Sequence, residues 1–215
     1  MVRRSAGAVF LPDRYVFPGG RVDDADRDVA AHARLRGSAG DVEPAYAITA
    51  ARETFEEIGL LFADRPVDVD ALADARRAML AGEVSFGDVL ERFDVSIDAS
   101  ALAYFSRWVT PKAELARRFD TRFFVARAPQ DQIAEADATE VTDGRWFRPA
   151  DALEANIRGE INLIFPTIKH LERIAPFPDV EALMAFARTK SITTVTPEVQ
   201  PGPNFVMIPE LENAW

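Results

Sequence analysis

The chain has 215 residues, 48% of them hydrophobic and 28% charged, which is the composition of a soluble globular domain and excludes a disordered or collagen-like chain. It contains no run of 18 apolar residues, so no transmembrane helix is predicted. The 25 basic and 35 acidic residues give a net charge of −10, which argues against nonspecific nucleic-acid binding. Because cysteine is absent and no signal peptide is evident, we expect a cytoplasmic protein. Because of its negative charge and its lack of a long apolar run, we expect it to bind neither nucleic acid nor membrane.

The first 43 residues predict little regular structure. Residues 1–20 are typical of a strand end, a loop and a second short strand at Tyr15-Val16-Phe17, which Pro18-Gly19-Gly20 terminates. Residues 21–43 are acidic and rich in alanine and glycine, and they predict a loop with at most one short helix.

The next segment, 44–59, carries the clearest helical pattern in the chain. Pro44 suits the first helical position, and Gly59 stands where a helix C-terminus is expected. Apolar residues recur at steps of three and four, which indicates one buried helix face. They are Ile48, Ala51, Phe55, Ile58 and Phe62.

The rest of the chain alternates between predicted helices and strands. We expect two short helices within 70–93, joined at Gly82, and later helices at 150–158, 166–175 and 180–189. We expect strands at 101–110, 118–128 and 144–149. The order predicts one α/β domain over 1–190, followed by an extended tail over 191–215.

Three glutamates on the predicted helix form the pattern with the most chemical meaning. Glu53, Glu56 and Glu57 are three and four residues apart, so they share one helix face and repel one another. A bound cation would reverse that repulsion, and hard oxygen ligands suit Mg²⁺ or Mn²⁺. Arg52 is positioned to hold a carboxylate through a bidentate pair. The alternative is a solvated acidic helix face with no ligand.

The wider pattern resembles the Nudix box, G-x5-E-x7-R-E-U-x-E-E-x-G-U. Gly20 matches the first glycine, Asp26 occupies the first acidic position, and the segment from Arg52 to Gly59 matches every fixed residue of the second half. Between Asp26 and Arg52 lie 25 residues where the box has seven, and the 18 extra residues can form a surface loop. Such a split box resembles the branch that includes peroxisomal coenzyme A diphosphatases.

The N-terminal segment is similar to a motif of Nudix enzymes that cleave coenzyme A. Arg4-Ser5 and the segment Phe17-Pro18-Gly19-Gly20 fall at the spacing of that motif, whereas Val9 and Asp13 replace its inner arginine and glycine. The resemblance therefore extends to coenzyme A as a candidate substrate, with two positions of the motif changed.

The resemblance implies a Nudix fold, in which a mixed β-sheet is sandwiched between α-helices. The box would span 20–60 with the insertion 21–43, and a helical insertion would span 64–100. The resemblance also implies that the first strand of the usual sheet is missing, because only three residues precede Arg4. We expect the two insertions to shape substrate choice.

The implied reaction is water attack on one phosphorus of a nucleoside diphosphate linked to another group. The resemblance implies that Glu53, Glu56 and Glu57 hold Mg²⁺ or Mn²⁺, that the Gly19 carbonyl adds a ligand, and that Arg52 takes part in catalysis.

The same resemblance implies a general base and a cationic group near the pyrophosphate. The base would be Glu53 or Glu140, with Glu135 as the second choice for the acidic residue on a loop. Arg4 or Arg21 would bind the substrate and stabilise the developing negative charge.

Two other functional classes compete with this interpretation. A catalytically inactive Nudix-fold module could bind nucleotides or regulate, but it would be expected to carry a broken carboxylate set. An isoprenoid diphosphate isomerase would need a cysteine, which the chain lacks.

The tail and the histidines carry further predictions. Part of 191–215 is expected to dock against the sheet, either in its own subunit or across a two-fold homodimer. His32 and His170 are isolated, and we expect both to be packed or solvated and not to be ligands.

Overall fold

Helices and short strands alternate along the computed structural model, which describes residues 1–111, 118–200, 204–212 and 214–215. Its helices are α1 (Val29–Ala33), α2 (Pro44–Ile58), α3 (Val69–Leu80), α4 (Phe86–Arg92), α5 (Pro149–Ile157), α6 (Phe165–Ile174) and α7 (Val180–Thr189). Its strands are β1 (Val2–Arg4), β2 (Tyr15–Val16), β3 (Leu35–Arg36), β4 (Ile97–Asp98), β5 (Leu102–Val109), β6 (Asp120–Ala126), β7 (Val141–Gly144), β8 (Thr194–Val195), β9 (Glu198–Gln200) and β10 (Asn204–Val206). Across these described ranges no helix is long and apolar enough to cross a membrane.

Two three-stranded sheets form the framework of the domain. In the first, β1 lies between β2 and β7, and both pairings are antiparallel. In the second, β5 pairs with β6 in antiparallel fashion and with β8 in parallel fashion, so this sheet is mixed. The strand end predicted near the start of the chain is therefore β1, with paired strands on both of its sides.

Helix α2 confirms the prediction over 44–59 almost residue by residue. Pro44 is its first residue, and Gly59 ends it in the left-handed conformation with φ +76°, which glycine adopts without strain. Ile48, Ala51 and Phe55 are at most 2% exposed, so the apolar stripe is buried as expected. The glutamates of this helix are thereby anchored to the largest core cluster.

Helices pack on both faces of the sheet that contains β5. On one face Leu102 packs with the core of α2, α3 and α4. On the other face Phe105 packs with Met184 and Ala187 of α7. This alternation follows from the period of two along a strand.

The acidic insertion 21–43 has more structure than predicted. It begins with a 3₁₀-helix over Asp24–Arg27, continues through α1 and ends in β3. Strand β3 pairs in parallel with β4, so that Leu35 lies opposite Ile97. The two segments predicted to be insertions, 21–43 and 64–100, are therefore paired with each other.

The third predicted strand, 144–149, is wrong in its position. Strand β7 covers Val141–Gly144 and ends where the predicted strand begins, and Trp146 is 74% exposed. The aromatic residues favoured a strand locally, but pairing with β1 selects the segment around the fully buried Val141. The strand predicted at 118–128 is β6, and residues 112–117 before it lie outside the described part of the chain.

The predicted docking of the tail is confirmed within the same chain. Strand β8 pairs with β5, with Val195 opposite Trp108, and β9 and β10 form an antiparallel pair beyond it. Trp215 is 2% exposed, and its ring centroid lies 5.1 Å from that of Trp108. Residues 201–203 of the tail lie outside the described residues. The predicted homodimer stays a prediction.

Candidate active site

The two separated halves of the predicted motif meet at the Arg52 guanidinium. Nε and Nη2 of Arg52 donate to Oδ1 and Oδ2 of Asp26, both at 3.0 Å, and Thr49 Oγ1 donates to Asp26 Oδ2 at 2.7 Å. Burial opposes ionisation of Asp26, but hydrogen bonds from Arg52, the Asp23 backbone and Thr49 hold its pKa below the ordinary value. The insertion between the halves therefore leaves the pairing of Asp26 and Arg52 intact.

The same guanidinium also holds two of the three glutamates. Arg52 Nη1 lies 2.9 Å from Glu53 Oε1 and 3.1 Å from Glu56 Oε2, and Nη2 donates to the Arg21 carbonyl at 2.9 Å. Arg52 is only 7% exposed and lies among these groups. Its donors thus already bind protein acceptors, and its predicted part in catalysis stays a prediction.

The glutamates are not a solvated helix face, and that alternative is wrong. Glu57 is 4% exposed, and the side chains of Glu53 and Glu56 are 12% and 30% exposed. Burial, together with the neighbouring negative charges, raises the pKa of Glu57 to about 8 and that of Glu53 to about 7, and it also raises the pKa of Glu56. Without a cation, these carboxyl groups therefore keep their protons to a higher pH than exposed glutamates do.

The Pro-Gly-Gly turn lies directly over this cluster. The Gly19 N–H donates to Glu57 Oε2 at 3.2 Å, and its φ of +151° favours glycine. A Cβ atom at Gly20 would overlap the Glu53 carboxylate. The contact observed for Gly19 is through its N–H, and the predicted role of its carbonyl as a ligand stays a prediction.

Of the two acidic loop residues considered, Glu140 acts on the cluster through its charge. Its negative charge contributes to the raised pKa of Glu53, Glu56 and Glu57, and its predicted role as the base stays a prediction. Its carbonyl accepts a hydrogen bond from the Ser5 N–H at 2.9 Å. Glu135 instead lies at the end of α2, where its N–H donates to the Ile58 carbonyl at 2.9 Å.

The two candidate arginines contact the site in different ways. Arg4 Nε donates to the Phe10 carbonyl at 3.0 Å, and its positive charge lowers the pKa of Glu57. Arg21 contributes its backbone carbonyl to Arg52, and its side chain is exposed. The charge of Arg4 therefore acts on Glu57, and the predicted substrate contacts of both Arg4 and Arg21 stay predictions.

The donor chemistry of the cluster fits a hard divalent cation. All of its donors are carboxyl oxygens, which are the ligands that Mg²⁺ and Mn²⁺ prefer. Within the described ranges, however, no three acidic or histidine side chains converge on one point. Arg52 Nη1 contacts one oxygen each of Glu53 and Glu56, and the Gly19 N–H contacts one oxygen of Glu57, so ligation by all three would require their side chains to move closer together.

Sequence reasoning missed two residues of this region. Thr49 precedes Arg52 by three residues on α2, so its contact with Asp26 has a local signal in the helix spacing. Arg76 of α3 donates to the Glu56 carbonyl, and no local sequence pattern predicts that contact.

His170 is 3% exposed and hydrogen-bonded to Ser106, which confirms that it is packed.

Comparisons with known proteins identify the family of the chain. The family described as the NUDT19 Nudix domain matches residues 29–174. Proteins named acyl-coenzyme A diphosphatase NUDT19 are 25% identical in Xenopus laevis and 26% identical in Homo sapiens, and each alignment covers 89% of this chain. The chain spans 63–65% of the length of the curated relatives it matches.

A solved structure supports the fold class. The crystal structure of a NUDIX hydrolase from Alicyclobacillus acidocaldarius is 32% identical, has a TM-score of 0.68 and covers 86% of both chains. The α/β fold expected from the resemblance is therefore confirmed.

Proposed function

Because the chain belongs to the NUDT19 Nudix domain family, we propose that it hydrolyses the pyrophosphate linkage of a nucleoside-diphosphate derivative. Coenzyme A or an acyl-coenzyme A is the proposed substrate class, supported by the names of two relatives. The proposal rests on one observation. The guanidinium of Arg52 contacts Asp26, which lies before most of the predicted insertion, and also Glu53 and Glu56, which lie after it.

The carboxylates of α2 would hold Mg²⁺ or Mn²⁺ in this proposal. Glu53, Glu56 and Glu57 would be its ligands, and the Gly19 carbonyl would be a further donor. When bound, the ion would supply charge neutralisation at the pyrophosphate and a lower pKa for the attacking water. Arg52 fixes the resting positions of two ligands, and this is supported by its contacts with Glu53 and Glu56.

The proposed reaction also needs a general base for the attacking water and a cationic group for the departing phosphate. Water attacks one phosphorus, the bond to the bridging oxygen breaks, and two phosphomonoesters leave. Glu53 or Glu140 accepts the proton of the water, and burial raises the pKa of Glu53 to about 7, which favours uptake of a proton there. Arg4 or Arg21 stabilises the negative charge on the departing phosphate.

A substrate screen tests the activity. The purified protein is incubated with coenzyme A, an acyl-coenzyme A, ADP-ribose or NADH, in Mg²⁺, in Mn²⁺ or in EDTA, and products are identified by mass. We expect metal-dependent cleavage of a coenzyme A compound by the wild type and by Glu91→Gln, whose glutamate is exposed on α4. Substrate binding without cleavage in either metal would instead establish an inactive nucleotide-binding module.

Thermal unfolding tests the metal site without any turnover. A ligand that binds only the folded state stabilises it, by about 2.7 kcal/mol at one hundred times its Kd. We expect Mn²⁺ to raise the Tm of the wild type and of Glu91→Gln, and to raise that of Glu56→Gln less. Equal shifts in all three proteins would contradict the assignment of Glu56.

A further inference from the structure

The C-terminal end of α2 has every one of its last carbonyls paired. A helix leaves its last four carbonyls without partners inside the helix. Here the Gly59 N–H binds the Phe55 carbonyl at 2.9 Å, and the Asp137 and Glu135 N–H groups bind the carbonyls of Glu57 and Ile58 at 3.1 and 2.9 Å. The remaining carbonyl, that of Glu56, needs a donor from elsewhere.

Arg76 of α3 supplies that donor. Its Nε and Nη2 donate to the Glu56 carbonyl at 3.0 and 2.8 Å, and its Nη1 donates to the Glu135 carbonyl at 2.9 Å. Burial lowers the pKa of Arg76, and the negative charges of Asp137 and Glu135 partly oppose this effect. A cation at this end of the helix also complements the helix dipole.

Gly59 leaves the space that this guanidinium occupies. A Cβ atom at Gly59 would lie 3.1 Å from Arg76 Nη1, which is closer than an ordinary contact. Gly59 therefore serves both the left-handed turn that ends α2 and the approach of Arg76.

The segment that Arg76 fixes leads directly to Glu140. After Asp137, whose N–H is bound to α2, the Asp137 carboxylate accepts hydrogen bonds from the N–H groups of Thr139, Glu140 and Val141 at 3.0 to 3.2 Å. This turn sets the backbone at Glu140 relative to the helix that carries Glu56 and Glu57. Arg76 is hydrogen-bonded to both sides of that arrangement.

We propose that Arg76 is a positioning residue that sets the distance between the α2 carboxylates and Glu140. The helical insertion is then part of the framework of the site and not only a determinant of substrate choice. The role in catalysis rests on the proposed function, whereas the positioning itself can be measured in the metal-free protein.

Two substitutions and one matched control separate positioning from simple loss of stability. Arg76→Lys keeps the charge but cannot bridge both carbonyls as the planar guanidinium does, and Arg76→Met removes charge and donors. Arg77→Met is the control, because Arg77 is the next residue on α3 and its side chain is 70% exposed.

Amide hydrogen exchange of the metal-free proteins is the first readout. We expect the N–H groups of Glu135 and Asp137 to exchange about tenfold faster in Arg76→Met, less so in Arg76→Lys, and as in wild type in Arg77→Met. Unchanged exchange in Arg76→Met would overturn the proposal.

The Kd for Mn²⁺, measured well below the Tm of each protein, is the second readout. We expect it to rise about tenfold in both Arg76 variants and to stay the same in Arg77→Met. Faster exchange with unchanged Mn²⁺ affinity would show a purely structural contact and would overturn the role in the site. If the wild type cleaves none of the tested substrates, the proposed function fails, and exchange still decides whether Arg76 positions the segment.

Discussion

Asp26 and Arg52 are 26 positions apart in the chain and are joined by two parallel hydrogen bonds of 3.0 Å. Asp26 is 2% exposed and Arg52 7% exposed, so neither charge is compensated by solvent. This pair joins the two residues that flank the segment 27–51, which explains why the extra residues leave the carboxylates of α2 in place. The first part of 21–43 is thereby bound to the helix that carries the site, and the expected effect of this segment on substrate choice stays a prediction.

The substitution Asp26→Asn tests the importance of this pair. We expect the free energy of unfolding to fall by on the order of 3 kcal/mol, because Arg52 is left buried with less compensating charge. Urea unfolding measures the change. Asp24→Asn is the control, because Asp24 lies exposed on the same 3₁₀-helix and should change stability by less than about 0.5 kcal/mol. Equal stability of the two variants would contradict the structural role of the pair.

The substitution Glu57→Gln tests how the charge of Glu57 affects the stability of the protein. The raised pKa of Glu57, about 8 against 4.5, means that the folded state binds more protons than the unfolded state between these pH values. Stability of the metal-free wild type should therefore fall as the pH rises through that window, and the variant should lose less. We expect similar Tm values at pH 5 and a variant several degrees more stable at pH 9, since each kcal/mol is worth about 2–4 °C in a chain of this size.

The same variant should lose about 100-fold or more in turnover number on whichever substrate the screen identifies. Glu91→Gln again provides the control, with wild-type turnover. Near-normal turnover of Glu57→Gln in saturating Mg²⁺ would mean that Glu57 is not a ligand.

The substitution Gly20→Ala tests the approach of the turn to the carboxylates. The new methyl group would displace the Glu53 carboxylate, which is the end of a flexible side chain, so the cost in stability should be about 1 kcal/mol or less. Mn²⁺ affinity should fall about tenfold, because a ligand has moved. Gly7→Ala is the control, since a Cβ atom there meets no atom within 4 Å. Calorimetric titration of both variants with Mn²⁺ checks the difference.

His170 provides a pH dependence that is independent of the carboxylates. Burial lowers its pKa to about 4, and its ring nitrogens contact Ser106 Oγ and the Pro166 carbonyl, both at 2.6 Å. Between pH 6.5 and 4 the unfolded state takes up a proton that the folded state does not bind, so stability falls as the pH falls. The loss should reach on the order of 3 kcal/mol by pH 4.

Urea unfolding from pH 7.5 to 4.5 checks this dependence by comparison of two variants. His170→Asn should show a shallower loss of stability at low pH, whereas His32→Asn should follow the wild type. Parallel curves for all three proteins would rule out His170 as the group responsible.

The parts of the site that could be predicted are those with a local pattern. The bounds of α2 and the helical spacing of its glutamates follow from residues within one or two turns of each other. The burial of these glutamates could not be predicted from the local sequence, because the Pro-Gly-Gly turn that covers Glu53 and Glu57 comes from a different part of the chain. Strand β7 was misplaced for a related reason, since its bounds depend on pairing with β1 more than 130 residues away.

The sequence by itself determined the helix with its apolar face, its terminal glycine and its three carboxylates, because hydrophobic periodicity, capping and charge spacing act between near neighbours. Only the tertiary structure decided that Asp26 binds Arg52 and that Arg76 binds the Glu56 carbonyl near the end of α2. Those contacts join distant segments, and each exists because a buried charge or an unpaired carbonyl must find a partner when the elements pack together.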